Sequence, residues 1–201
     1  MVNHSEHNFD YAIVGGGLFG AAAARHLGYQ GHDVLVFAPE EPQERTTHEG
    51  VFASHYDEAR ITRMLDADEI WSELAQASIN RYQQIEIDSG INFHHIAQYL
   101  FLTHTEDDSF NSNIDVAKAH NIDFDLLDSY SLTEQMPFLQ VAADEKGLLE
   151  PSPAGYVNPR AFLRAQLKCA LDSGVQIENE IVNEVVETTN GLKIEPTAAN
   201  Q

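Results

Sequence analysis

Cysteine, basic side chains and long apolar runs are scarce in this sequence, and each shortage removes a class of protein. A single cysteine, Cys169, permits no internal disulfide and fits a reducing compartment. It falls on the apolar side of the helical run LRAQLKCALDSG, so its expected part is packing rather than reactivity. The 11 lysines and arginines stand against 32 aspartates and glutamates, a formal charge of −21, so nucleic acid and anionic membranes would be repelled and are not expected as partners. The acids are scattered along the chain, as on a solvated surface. No apolar run approaches membrane-spanning length, and the start, MVNHSEHNFD, has neither the basic nor the apolar segment of a leader. The expectation is a cytoplasmic protein. No HExxH or CxxC spacing occurs, and His94 and His95 are neighbours that would face opposite sides of a strand, so no metal site is expected. Repeats and Pro-rich or Gly/Ser-rich linkers are absent too, so a second domain would have to arise as an excursion from the first.

What is present is enough apolar residue for a core, 43% of the chain, and one stretch that organises the rest. The apolar run Tyr11 to Val14 stops at Gly15-Gly16-Gly17 and resumes at Gly20 with four alanines, which reads as strand, tight turn and helix, followed through Gly31 by a second strand, VLVF. Gly15, Gly17 and Gly20 have the GxGxxG spacing. The first lets the chain turn, the second lets a pyrophosphate approach the backbone, and the third lets helix and strand close up. The free N–H groups of that helix start would face the anion. A purely structural glycine turn is the competing reading.

After VLVF, the position at which a carboxylate would take ribose hydroxyls is Ala38. Glu40 and Glu41 follow and either replace it or are solvated loop charges. A long polar loop from Pro42 to about Glu58 leads to His55, Tyr56, Arg60 and Arg63. Arg60 and Arg63 would point the same way on a helical turn; the alternative is that they pair with Asp57, Glu58 or Asp66. Asp66 to Ser89 reads as an amphipathic helix whose stripe, Ile70, Trp71, Leu74, Ala77, Ser78, Tyr82 and Ile85, is expected in the core. Short strands are expected at INFHH, QYLFLT and FDLLD, with a helix around Ser109 to His120 between them, and GLLEPSPAGYVNP reads as a strand and loop. Ser131 with Glu134 suggests a capping box. Asn158 and Pro159 suggest the start of another helix, closed by Gly174, before the strands VQIE, NEIVNEVVE and LKIEP.

In order along the chain, DYAIVGGGLFGAAAARHL, SHYDEARITR, the helix with Trp71 and EPSPAGYVNPRAFLRAQ resemble the flavoprotein family of D-amino acid oxidase, glycine oxidase and monomeric sarcosine oxidase. The resemblance corresponds to about the first half of a typical member. It implies an α/β fold, a Rossmann-like FAD-binding βαβ core interrupted by part of an antiparallel α+β substrate domain. By it, residues 1–92 and 152–201 would be FAD-binding domain and 93–151 a partial substrate domain. FAD is the implied cofactor, and a small amine or amino acid, oxidised at its C–N bond, the implied substrate. Gly15, Gly17 and Gly20 would hold the pyrophosphate, Arg60 would lie near the flavin, and Arg63 would match the arginine that binds the substrate carboxylate. His55 corresponds to the loop beside the flavin, and Val182 falls near a backbone contact to the adenine. No catalytic residue is expected in this half, which alone should hold FAD weakly at best. Three alternatives stand beside an N-terminal oxidoreductase portion: a truncated non-catalytic product, a subunit completed by a second chain, and a nicotinamide-dependent dehydrogenase that shares the glycine spacing.

Overall fold

The apolar run that starts the chain forms β1 (Tyr11–Val14), and the alanine-rich segment behind it forms α1 (Leu18–Tyr29) before β2 (Val34–Phe37). These come from a computed structural model that describes residues 8–42, 44, 46–48, 53–104 and 107–198. The middle of the long loop, residues 43, 45 and 49–52, lies outside the described residues. Then follow β3 (Arg60–Thr62), α2 (Glu69–Ser89), β4 (His94–Ile96), β5 (Tyr99–His104), α3 (Asp108–Ala119), β6 (Asp125–Asp128) and α4 (Ser129–Gln135). The chain continues through β7 (Glu145–Glu150), β8 (Gly155–Val157), α5 (Pro159–Asp172), β9 (Gln176–Glu178), β10 (Glu180–Thr188) and β11 (Gly191–Ala198). No helix among the described residues is long and apolar enough to cross a membrane.

The elements sort into two units, one of Met1–Glu58, Ile85–Asn92 and Pro159–Gln201, the other of Ala59–Gln84 and Phe93–Asn158. In the first, β1, β2 and β9 form a parallel sheet in that order, with Tyr11 opposite Val34 and Leu35 opposite Gln176. Two parallel strands cannot be joined by a hairpin, so α1 makes the crossover between β1 and β2. Its small residues suit that place: Ala24 joins Val34, Val36, Ala38, Ala170 and Val175 in one buried cluster with Ile13, Leu27 and Ile177 against it. Cys169 on α5 is buried too, 1% exposed, as expected of a packing residue. β10 and β11 form a separate antiparallel ribbon.

The second unit holds two antiparallel three-stranded sheets, ordered β3-β8-β4 and β5-β7-β6. Leu127, Leu132 and Leu149 make a core for the latter, with Leu100, Leu102 and Met136 packed on it. Under the former, Phe93 is fully buried with its ring edge-on to Tyr82 at 5.4 Å, and its carbonyl accepts the Asn158 N–H at 2.8 Å.

Three expectations are corrected here. In α2, Ile70, Trp71 and Leu74 are 67%, 66% and 54% exposed, and Ala77 and Ser78 are exposed as well. Tyr82 and Ile85 of the expected stripe are buried, and Ser72 and Ile79 complete the inward face. The choice of face follows from polar satisfaction: the Ser72 hydroxyl donates to the Met64 carbonyl at 2.8 Å, and Tyr82 shares a hydrogen bond of 3.3 Å with Thr62. Ser131 does not cap α4. Asp128 does, accepting the Ser131 N–H at 2.8 Å, because the helix starts earlier than the serine. Finally, the arginine pair does not ride on a helical turn. Arg60 lies in β3, paired with Val157, and Arg63 follows the strand end, since β8 offers this segment a sheet partner.

A candidate FAD turn and a candidate anion-receiving arginine

Gly15 takes φ +100°, a left-handed conformation that glycine adopts without strain, and its N–H donates to the Phe37 carbonyl at 2.9 Å. The turn is thereby pinned to the end of β2. A Cβ on Gly20 would stand 1.9 Å from the Gly15 carbonyl oxygen, so only hydrogen fits where α1 passes the turn. Gly17 differs from both. It is the N-cap of α1, at φ −70° and ψ −173°, and a Cβ there would meet nothing within 4 Å. The helix start has no side-chain cap and no acid in its first turn, although α3 and α4 of the same chain are capped by Asp107 and Asp128. Uncapped N–H groups, positive helix end and open approach at Gly17 together fit a bound pyrophosphate.

The end of β2 explains the missing ribose acid. Ala38 is buried, and a Cβ on Gly16 would come within 2.3 Å of the Ala38 Cβ, so this position has been taken into the packing beneath the turn. Of the two acids that follow, Glu41 is engaged by Arg160, which also binds Glu58. Arg160 thus ties both ends of the long loop to the first turn of α5. Glu40 is exposed, and its backbone N–H donates to Asn179 Oδ1 at 3.2 Å. In the same unit His55 is buried, 6% exposed, with its ring edge-on to Tyr56 at 4.9 Å. Val182 is half-buried in β10 opposite Pro196, beside the irregularity in register before Glu184.

Arg60 and Arg63 belong to the second unit. Arg60 is half-buried in β3. The Arg63 guanidinium donates from Nη1 to Asp66 Oδ2 at 3.0 Å, and its Cζ lies 5.0 Å from the centre of the Tyr99 ring. The pairing with Asp66 is the alternative left open by the sequence. Arg63 is one third exposed, which limits such a pair to a few tenths of a kcal/mol up to about 1. It also borders an open depression of about 340 Å³ with Ile61, Thr62, Trp71, Leu74 and Tyr82.

Sequence reasoning missed Glu150. This carboxylate is wholly buried, accepting the Met64 N–H at 2.9 and 3.0 Å and the Leu65 N–H at 2.8 Å. Burial pushes its pKa above the ordinary carboxylate range, while the Leu65 and Met64 N–H groups and the Arg63 charge pull it back. The available signal was an acid closing the otherwise apolar end of β7, GLLE.

Fold and turn together define a mixed α/β protein with an anion-receptive glycine turn at its first helix. Residues 10–199 match the profile of the DAO family, FAD dependent oxidoreductase. The chain belongs to that family, whose cofactor is FAD. It is 24% identical over 173 residues to a monomeric sarcosine oxidase of Streptomyces avermitilis, an alignment covering 86% of this chain and 43% of the relative. Among solved structures, it resembles NikD, an unusual amino acid oxidase essential for nikkomycin biosynthesis, with a TM-score of 0.71 and 20% identity over 94% of this chain and 47% of that one. It is similar also to L-proline dehydrogenase from P. horikoshii, with a TM-score of 0.71 and 21% identity over 92% of this chain and 48% of that one. The chain thus spans less than half the length of each of these.

Proposed function

We propose that this chain supplies the FAD-binding turn and the substrate-anchoring arginine of an oxidoreductase that oxidises the C–N bond of an amino acid or secondary amine. The observation that carries the reading is the start of α1, where a glycine turn leaves uncapped N–H groups with no acid in the first turn, in a chain of 32 acids. Gly15, Gly17 and Gly20 would hold the pyrophosphate, with Glu40 as the carboxylate for the ribose now that Glu41 is engaged by Arg160. Arg60, His55 and Val182 keep the parts implied by the resemblance, near the flavin, in its flanking loop and near the adenine. Bound FAD would supply the acceptor for the hydride. On the protein side, the planar fork of Arg63 suits bidentate pairing with a substrate carboxylate, and the apolar wall of Trp71 and Leu74 would face the rest of a small substrate. In this reading residues 1–92 and 152–201 make up the FAD-binding domain, which also lends Arg63, Trp71 and Leu74 to the substrate, and 93–151 are part of the substrate domain.

Titrating the isotope-labelled chain with FAD while following the backbone amides tests it. Saturable shifts centred on Leu18 and Phe19, competed by ADP, are expected even if affinity is low; a folded chain that shows none would sink the proposal. The engagement of Arg63 gives a second expectation. Asp66→Asn frees the guanidinium, so a carboxylate ligand should bind about two- to fivefold more tightly by the same titration, matching the worth of a part-exposed ion pair.

A second reading, a half-protein completed by another polypeptide segment, is favoured by the exposed row of Ile70, Trp71 and Leu74 on α2. Side chains this apolar at neighbouring positions suit a covered surface. Trp71, the one tryptophan of the chain, should shift its fluorescence to the blue if such a segment binds.

A further inference from the structure

We propose that Glu150 is the positioning residue for Arg63, holding the segment behind it so that its guanidinium is presented at a fixed place to an anionic ligand. This rests on the reading of Arg63 as a carboxylate receptor. The residues on either side of Arg63 are fastened by buried side chains from elsewhere in the same unit. Thr62, on one side, is hydrogen-bonded to the Tyr82 hydroxyl at 3.3 Å. On the other, Met64 is held at both ends of its peptide: its N–H by Glu150 at 2.9 Å and its carbonyl by the Ser72 hydroxyl at 2.8 Å. Leu65 is held through its N–H by Glu150 at 2.8 Å. Glu150 and Ser72 are both 0% exposed, whereas the Arg63 side chain is 33% exposed, so the backbone is pinned while the charged end stays accessible.

A buried carboxylate is a costly way to satisfy two N–H groups unless their position matters, since desolvating the charge opposes the gain. A guanidinium carries five donors in a rigid fork, and its bidentate geometry is useful only when its backbone is fixed. Glu150 Oε2 alone accepts from both Met64 and Leu65, at 3.0 and 2.8 Å. An amide oxygen at the Oε2 place could keep both bonds without the charge, provided the amide nitrogen turns away from the Met64 N–H that Oε1 shares at 2.9 Å. An aspartate keeps the charge but withdraws its oxygens by one carbon–carbon bond, about 1.5 Å.

Positioning and bare charge therefore make opposite predictions for Glu150→Gln and Glu150→Asp. The full chain is titrated with propionate, with propionamide as the neutral control, reading the Arg63 Nε–Hε signal and hydrogen exchange at the Met64 and Leu65 amides. E150Q should bind propionate within about twofold of wild type and keep both amides protected. E150D should bind roughly fivefold more weakly or worse, with exchange at the two amides at least about tenfold faster. An E150D variant with wild-type affinity and protection, or an E150Q variant as impaired as E150D, overturns the positioning role alone. A propionate response that survives in Arg63→Gln overturns the Arg63 reading and this inference with it.

Discussion

Gly17→Ala is expected to weaken FAD at least about tenfold while leaving the stability of the chain nearly unchanged, and Gly20→Ala is expected to do damage to the fold itself. The two glycines belong to one motif, but their surroundings differ. At Gly17 a methyl group would meet no protein atom within 4 Å and the backbone, at φ −70°, is one that alanine adopts. Exchanging glycine for alanine at an N-cap changes stability by only a few tenths of a kcal/mol. The same methyl would occupy the approach to the uncapped N–H groups of α1, and a tenfold loss there corresponds to about 1.4 kcal/mol. At Gly20 the methyl would stand 1.9 Å from a backbone oxygen, which no side-chain rotation relieves. Overpacking of this kind costs roughly 1–3 kcal/mol or more, because α1 must move away from the turn. Urea denaturation reads the second effect, and titration with FAD the first. If Gly17→Ala binds FAD as wild type does, the pyrophosphate does not sit on this turn; if it melts as Gly20→Ala does, the glycine is structural.

Phe93→Ala should be the most destabilising core substitution in the second unit, by about 3–5 kcal/mol, the range for removing a large buried aromatic side chain. Phe93 is fully buried and heads the fully buried side chains by volume. Its edge-on contact with Tyr82 supports the ring whose hydroxyl bonds Thr62, next to Arg63, and its backbone carbonyl holds Asn158. Against a typical domain stability of 5–15 kcal/mol, that loss is a large share of the whole. The check is a urea melt in parallel with exchange at the Thr62 amide. Phe93→Leu, which keeps most of the volume, should restore most of the stability. A Phe93→Ala chain within about 1 kcal/mol of wild type would show that the pocket closes around the smaller side chain.

The parts of the candidate site legible in the sequence are those whose causes lie next to one another in the chain. The strand, turn and helix of Tyr11 to Tyr29 follow from an apolar run, three glycines and a set of small residues, each acting on its neighbours. Arg63 was singled out from its spacing to Arg60, yet the helical turn assumed for the pair is a strand, because Val157 pairs with Arg60 from 97 positions further on. Glu150 was passed over for the same kind of reason. An acid at a strand end reads as exposed until the backbone of Met64 and Leu65, 86 and 85 positions away, is seen to enclose it.

The helical period of α2 holds, and Tyr82 and Ile85 of its expected stripe are buried, but Ile70, Trp71, Leu74, Ala77 and Ser78 are not. The row Ile70, Trp71 and Leu74 is the more apolar, so hydrophobicity alone turns it inward. Instead Ser72 faces inward together with the expected Tyr82, because a backbone carbonyl and a threonine hydroxyl need partners there.

By itself, then, the sequence determined the glycine turn between β1 and α1 and the crossover to β2. Those depend on sterics and periodicity over a few residues. Only the tertiary structure decided that Ala38 is part of the packing, that Arg160 engages Glu41 and Glu58, that α2 buries its serine face, and that Glu150 holds the segment behind Arg63. Whether a charge or an apolar stripe is buried depends on partners that the chain brings from far away, and no local pattern records which partner arrives.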